Sequence, residues 1–205
     1  MKKRIIIEII CGVIIFVVGF FIGDASAIKR VNAGINSNVE KKHEEKNKYV
    51  VEKKENRTEP KIYKLGEEGT SGNWSIKVLE ATETNIIEAG NSADNKTTND
   101  KFIVVKLQIK NISKSANKYS SNEFLLGDIK DKSQYKVHFD AMAAANNKES
   151  IYNKNNDFVG VYTDINPNTS KETYIIFEIP KDISLSDCVL INGNNGIEAT
   201  GFYIN

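Results

Sequence analysis

One cysteine and one histidine could supply a nucleophile and a base to the C-terminal part of the chain. Cys188 is followed by Val189 and Leu190, and His138 lies between two apolar residues. Nucleophilic catalysis needs a thiolate beside a base that a third group orients. A small thiol within an apolar strand is ordinarily a packed core residue. We therefore expect Cys188 and His138 to be structural.

Metal ligands are equally sparse. Zinc requires more ligands than Cys188 and His138 supply, and His43 has no partner at ligand spacing. Residues 88–100 are rich in oxygen ligands, namely Asn91, Asp94, Asn95, Asn99 and Asp100. Calcium needs six to eight oxygens, usually from several carboxylates at ordered spacing. We expect this stretch to be a hairpin loop, and we expect no metal and no cofactor.

Paired acids do not indicate an acid–base mechanism either. Asp128 with Asp131, and Glu67 with Glu68, lie in predicted turns, where carboxylates are solvated. The motifs that bind nucleotide phosphates, position a zinc-protease centre or form a nucleophile elbow are missing from the sequence. Residues 61–205 carry 16 Lys/Arg and 19 Asp/Glu, a balance unsuited to nucleic acid. The sequence predicts a protein that is neither an enzyme nor a nucleic-acid binder.

The N-terminus has the features of an export segment. Lys2, Lys3 and Arg4 precede an apolar run over residues 5–23, which only Glu8 interrupts. Positive residues stay on the cytoplasmic side, so the remainder of the chain is expected outside the membrane. A lipoprotein is not expected, because no adequate hydrophobic region precedes Cys11.

Two interpretations of residues 1–27 stay open. The length of the run approaches the roughly 20 residues that span a bilayer, which favours an uncleaved anchor. Ala25, Ser26 and Ala27 also form a small-residue cleavage site, so a signal peptide cleaved after Ala27 is the alternative.

Residues 28–60 change abruptly in composition. Residues 41–46 and 52–57 are dense in charges of both signs and almost free of large apolar side chains. Such a stretch buries too little surface to offset its conformational entropy. Opposite charges three and four residues apart support at most a transient helix over residues 39–55. We expect a charged spacer that ends at Pro60.

Residues 61–205 show the two-residue period of half-buried strands. The clearest runs are Trp74, Ile76 and Val78; Ile103, Val105, Leu107 and Ile109; and Thr173, Ile175, Phe177 and Ile179. Shorter apolar runs lie at residues 62–65, 123–129, 135–139, 158–162, 188–191 and 199–204. Turn-forming residues separate them, and an alanine-rich stretch at 140–148 favours one short helix. The pattern predicts an all-β fold, an antiparallel sandwich.

Several of these segments resemble the DUF4352 family, an immunoglobulin-like extracellular domain of Gram-positive lipoproteins and anchored surface proteins. The carriers are Leu65-Gly66, Gly72-Asn73-Trp74, the strand from Phe102 to Leu107 with Lys110-Asn111, then Phe124, Leu126, Asp128 and Tyr135, and finally Asn166-Pro167-Asn168 with Ile176 to Pro180. Asn168 stands where the family has glycine, and Asp131-Lys132 stand at another family glycine. Asn tolerates positive φ, so the same turn is expected. The pattern is more distantly similar to a secreted immunoglobulin-like mycobacterial antigen family. The resemblance implies an immunoglobulin-like sandwich outside the cytoplasm, with no catalytic residues to carry over.

The leading functional hypothesis is an extracytoplasmic, non-catalytic module that binds a protein, a peptide or a cell-envelope component. The surfaces to test first are residues 88–100 and 141–157, with Tyr119, Tyr152 and Tyr162 as candidate contacts. An alternative is an accessory or sensor subunit of a membrane complex, in which Cys11, Gly12 and Gly19 face a partner helix. An uncharacterised hydrolase is the third hypothesis.

Overall fold

The computed structural model describes residues 61–159, 163–194 and 198–205. The predictions for residues 1–27, for residues 28–60 and for Tyr162 lie outside these ranges. Within them, no helix is both long and apolar enough to cross a membrane.

Eleven strands and one α-helix form the described fold. The strands are β1 (Lys61–Tyr63), β2 (Glu68–Ser71), β3 (Trp74–Ile87), β4 (Lys96–Asn111), β5 (Asn117–Lys118), β6 (Phe124–Asp128), β7 (Gln134–Lys136), β8 (Asp164–Ile165), β9 (Ser170–Ile179), β10 (Cys188–Asn194) and β11 (Glu198–Tyr203). The helix α1 spans Phe139–Asn147, and a π-helical turn at Lys148–Tyr152 follows it directly. Short 3₁₀ helices lie at Ser92–Asp94, Ser121–Glu123 and Leu185–Asp187.

Two sheets face each other, which confirms the predicted β-sandwich. The first has the strand order β1-β11-β10-β6-β7 and the second the order β2-β3-β4-β9, while β5 and β8 pair separately. All pairings are antiparallel except that β1 runs parallel to β11. The sandwich holds one main core.

The core follows from the alternating pattern. Ile103, Val105 and Leu107 on β4 are fully buried, as are Ile175 and Phe177 on β9. Antiparallel pairing sets Val105 opposite Ile175 and Ile103 opposite Phe177, so the inward side chains of neighbouring strands meet on one face. The predicted inner faces of both strands are therefore confirmed.

Two predicted boundaries are wrong. Residues 88–100 are not one loop, because the β3–β4 ladder resumes after a bulge with Ile86 opposite Thr97, which leaves residues 88–95 as the connection. Residues 135–139 are not one strand, because β7 ends at Lys136 and Phe139 begins α1. In both places tertiary pairing overrides the local pattern.

Two turns adopt a positive φ at a residue other than glycine, and the turn at Asn168 is the one that the family resemblance implies. Asn168 adopts φ 58° and Lys132 also adopts φ 58°, the left-handed conformation that glycine takes most easily. Asn168 N–H donates to the Asn111 carbonyl at 2.8 Å, so this turn is tied to the end of β4. Both turns therefore adopt the left-handed conformation with a residue other than glycine.

Candidate functional site

Cys188 is a core residue of β10. Its side chain is fully buried and its Sγ donates to the Ser184 carbonyl at 3.4 Å. Burial, reinforced by the neighbouring Asp128 carboxylate, raises the pKa of the Cys188 thiol to about 12. A thiol in that state holds very little of the nucleophilic thiolate near neutral pH.

His138 caps the helix α1. Its Nδ1 accepts a hydrogen bond from the Ala141 N–H at 3.2 Å, which satisfies one of the free donors at the helix N-terminus. The imidazole packs edge-on against Phe102 with ring centroids 5.4 Å apart, and Nε2 lies 3.5 Å from a Glu178 oxygen. His138 belongs to the periphery of the four-stranded sheet and Cys188 to the five-stranded sheet, so the structure assigns them separate environments.

The acidic and amide residues close turns. Asp128 Oδ1 accepts from the Lys130 N–H at 2.9 Å, and Glu67 accepts from the Lys64 N–H at 2.8 Å. Asn95 Oδ1 accepts from the Ala89 N–H at 2.9 Å within the β3–β4 connection. In the described ranges no group of three or more His, Cys, Asp or Glu side chains could hold a metal ion.

The segment 137–159 covers the free edge of β9. The main chain contributes at both ends, where His138 N–H donates to Ile176 at 2.7 Å and Val159 N–H donates to Glu172 at 2.9 Å. Between them the Asn146 side chain takes the place of a strand, because its Nδ2 donates to the Tyr174 carbonyl and its Oδ1 accepts the Tyr174 N–H, both at 2.8 Å. An open edge strand would otherwise invite pairing with another chain.

This covering segment sets α1 beside the β3–β4 connection. Lys148 forms an ion pair with Glu88 at 2.7 Å, and the Lys148 partner lowers the pKa of the Glu88 carboxyl. The Tyr152 ring lies against Gly90 so closely that a Cβ there would meet it at 1.9 Å. The two regions that the sequence marked for testing, within 88–100 and 141–157, therefore form one continuous surface. We call residues 86–95 and 139–152 together the hairpin–helix face.

Two open depressions flank this contact. One, of about 370 Å³, lies between α1 and the outer face of β3, β4 and β9, and Val104 and Tyr174 form part of its floor. The other, of about 250 Å³, lies between α1 and the connection, beside Ala89 and Ala144. Both are open to solvent and hold a mixture of apolar and charged side chains.

Acidic side chains outnumber basic side chains around the two depressions. Five acidic side chains line them, namely Glu80, Glu88, Asp94, Asp140 and Glu149, against Lys96 and Lys148. Large apolar side chains remain exposed on the same face, at 41% for Ile86, 62% for Ile151 and 54% for Tyr152. The hairpin–helix face can therefore offer apolar contact beside an excess of negative charge.

The family model for a domain of unknown function, DUF4352, matches residues 63–187. The chain belongs to the DUF4352 family. This confirms the resemblance carried by the strand and turn residues. No functionally curated protein matches the chain.

Three solved structures of bacterial proteins are similar to this chain. A secreted protein of Mycobacterium tuberculosis, MPT63, is 16% identical, with 70% of this chain and 97% of that chain covered and a TM-score of 0.49. An uncharacterised β-sandwich protein of Clostridium difficile is 15% identical over 81% of this chain and 100% of that chain, with a TM-score of 0.46. The yjhA protein of Bacillus subtilis is 14% identical over 64% and 82%, with a TM-score of 0.46.

The two candidate tyrosines that the structure of this DUF4352 domain describes, Tyr119 and Tyr152, differ in exposure. Tyr119 is only 2% exposed and packs near Phe124, so it cannot contact a partner on the surface. Tyr152 is on the hairpin–helix face.

The role of Asn146 was not predicted from the sequence. Its hydrogen-bond partner on β9 is 28 residues away, and an asparagine that follows four alanines and a methionine does not indicate by itself that it binds a strand edge.

Proposed function

We propose that this DUF4352 domain is an extracytoplasmic, non-catalytic, immunoglobulin-like module that binds a protein or peptide through the hairpin–helix face. The observation that carries the proposal is that the hairpin–helix face holds the exposed side chains of Ile151 and Tyr152 together with four carboxylates, those of Glu88, Asp94, Asp140 and Glu149. Exposed apolar groups gathered beside a polar rim are typical of interaction sites.

The chemistry of the face specifies the kind of partner. Excess negative charge favours a segment that carries Lys or Arg, since complementary charge speeds encounter and rejects acidic competitors. The exposed Ile151 and Tyr152 favour a large apolar side chain next to those cations, because buried aromatic and aliphatic anchors supply most binding energy. A basic, amphipathic peptide or protein loop fits both requirements.

Location and the lack of catalysis belong to the same proposal. The basic and apolar N-terminus supports display outside the membrane, either on an uncleaved anchor or as a secreted protein cleaved after Ala27. The protonated, buried Cys188 thiol and the capping role of His138 support a non-enzymatic domain. The variants Cys188→Ala and His138→Ala should retain any cellular phenotype that depends on binding, and loss with both variants still folded would favour a hydrolase.

Site-specific photo-crosslinking in whole cells tests the binding face. A photoreactive amino acid at Ile151 is expected to capture an envelope or extracellular protein. The matched control is Ile112, which is 43% exposed at the opposite end of β4. Capture at Ile151 that disappears on Glu149→Lys supports the proposal, whereas equal capture at both positions, or none at Ile151, contradicts it.

The accessory-subunit alternative gives a different result in one further experiment. Replacement of residues 1–27 by an unrelated anchor should leave the Ile151 crosslink unchanged if the domain alone binds. Loss of the crosslink in a correctly anchored chimera would favour a membrane complex in which the anchor helix contacts a partner.

A further inference from the structure

A buried carboxamide points into the interior between the two sheets, at the end of the sandwich where β2 turns into β3. Asn192 on β10 pairs with Phe124 on one side and with Thr200 on the other. The Thr200 hydroxyl donates to the Thr70 carbonyl of β2 at 3.2 Å, and β2 belongs to the opposite sheet. Because side chains directly opposite each other in an antiparallel pair lie on one face, Asn192 faces the interior together with Thr200.

Two serine hydroxyls lie at the same end of the interior. Ser71 follows Thr70 at the end of β2, where Gly69 and Ser71 are the buried alternate residues. A Cβ at Gly69 would meet the core side chain of Phe202 at 2.7 Å, so this side of β2 faces inwards. Ser121 begins the 3₁₀ helix that leads directly into β6 at Phe124, the strand partner of Asn192.

These three side chains have unused hydrogen-bonding groups. Each is at most 1% exposed. Both polar atoms of the Asn192 carboxamide and the hydroxyls of Ser71 and Ser121 have no hydrogen-bond partner among the described residues. Asn146 is equally buried, but its carboxamide bonds to the Tyr174 backbone and the Met142 carbonyl. Buried polar groups in native proteins are bonded to protein or to ordered water, because an unpaired group is costly.

Described elements close this end of the sandwich. Asn111, the last residue of β4, donates through Nδ2 to the Ser115 and Ile165 carbonyls at 2.8 and 2.7 Å. These bonds hold the β5–β8 pair against the end of the core, where Tyr119 and Ile165 are each 2% exposed. An occupant of so enclosed a region must be small, and the uncharged groups of Asn192 and the two serines favour a neutral one.

We propose that ordered water occupies this region and bonds to the Asn192 carboxamide. A carboxamide and a hydroxyl each donate and accept, so their common partner must do both. Water is the smallest molecule that does so, and a buried water typically makes about three hydrogen bonds to such groups. The site is independent of the hairpin–helix face, since Trp74 and Ile86 lie near opposite ends of β3.

Oxygen-17 relaxation dispersion of water, measured on the full-length chain in detergent micelles, tests the proposal. It counts water molecules that stay inside the protein longer than bulk solvent does, and proton exchange with serine hydroxyls does not affect it. Asn192→Leu fills a similar volume without polar atoms, so the variant should hold fewer long-lived waters than the parent chain by about one or more. Asn147→Leu is the matched control, because Asn147 is exposed, and its count should equal that of the parent.

An unchanged count in Asn192→Leu, or an equal loss in Asn147→Leu, would overturn the proposal. If Asn192→Leu does not fold, the parent chain gives a second measurement by rotating-frame cross-relaxation between water and side-chain amide protons. The cross-peak at Asn192 should be at least about tenfold stronger than at Asn146, whose amide donates to protein carbonyls. Equal cross-peaks at the two residues, or none at Asn192, would contradict bound water.

Discussion

Removal of the Asn146 carboxamide should detach the segment that covers β9. Asn146 is 1% exposed, and its side chain exchanges two hydrogen bonds of 2.8 Å with the Tyr174 backbone. It also donates to the Met142 carbonyl at 3.1 Å. In Asn146→Ala the Tyr174 N–H loses its Asn146 acceptor at a half-buried strand edge, and the Tyr174 C=O keeps only the long contact of 3.4 Å from the Thr173 hydroxyl.

The expected cost follows from the two hydrogen bonds that the Tyr174 backbone loses. A buried donor or acceptor without a partner costs about 1–3 kcal/mol, and water that enters beside the half-buried Tyr174 reduces this. We expect Asn146→Ala to lower the free energy of unfolding by about 2–4 kcal/mol. Asn147→Ala is the matched control, because Asn147 is the next residue of α1 and its side chain is exposed. Its effect should stay within about 0.5 kcal/mol.

Urea unfolding followed by fluorescence provides the measurement, since Trp74 is the single tryptophan and is 7% exposed. Amide hydrogen exchange at Tyr174 provides a local measurement, in case the segment opens without global unfolding. If Asn146→Ala and Asn147→Ala agree in both unfolding free energy and Tyr174 exchange, Asn146 does not hold the edge and the reasoning is refuted. A positive result would also predict association of the variant through the bare β9 edge.

Three further predictions concern the hairpin–helix face and one turn. Gly90→Ala should displace the Tyr152 ring, which a Cβ would meet at 1.9 Å, and should lower thermal stability by the equivalent of about 1–3 kcal/mol; an unchanged melting temperature and unchanged Tyr152 ring resonances would contradict this. Lys148→Gln should raise the pKa of the Glu88 carboxyl toward its ordinary value, because Lys148 is the group that lowers it, and carboxyl NMR titration will show a shift or disprove the pairing. The stabilisation from this pair in the parent is present above the unfolded-state pKa of Glu88 and is lost as pH falls through the lower folded-state pKa. Lys132→Gly should stabilise the domain by up to about 1 kcal/mol in urea unfolding, because Lys132 adopts φ 58° and glycine takes that conformation without a Cβ penalty; a loss of stability would show that the lysine is not strained there.

The local alternation of apolar and polar residues was sufficient to predict the strands that bury one face in the core. The period-two runs identified β4 and β9 and their inward residues, since an alternating strand has only one way to bury its apolar side chains. The family resemblance implied a turn with positive φ at Asn168, and Asn168 adopts φ 58°. The fold class follows from these short-range signals, whereas the resemblance to the DUF4352 family rests on the order and spacing of the segments.

Contacts between distant segments could not be predicted in this way. The ends of β3 and β4 depend on the bulge that restores pairing at Ile86, and the role of Asn146 depends on β9. Such pairings are set by the balance of burial and hydrogen bonding over the whole fold. A short stretch of sequence contains no information about that balance.

The sequence by itself determined a β-sandwich of this family behind a basic and apolar N-terminus, together with a chain poor in catalytic and metal-binding groups. Only the tertiary structure decided that the β3–β4 connection and α1 form one face, and that Cys188 and His138 lie in separate environments. The physical reason is that alternation records which side of a strand is apolar, whereas the identity of the layer that covers it depends on where distant parts of the chain pack.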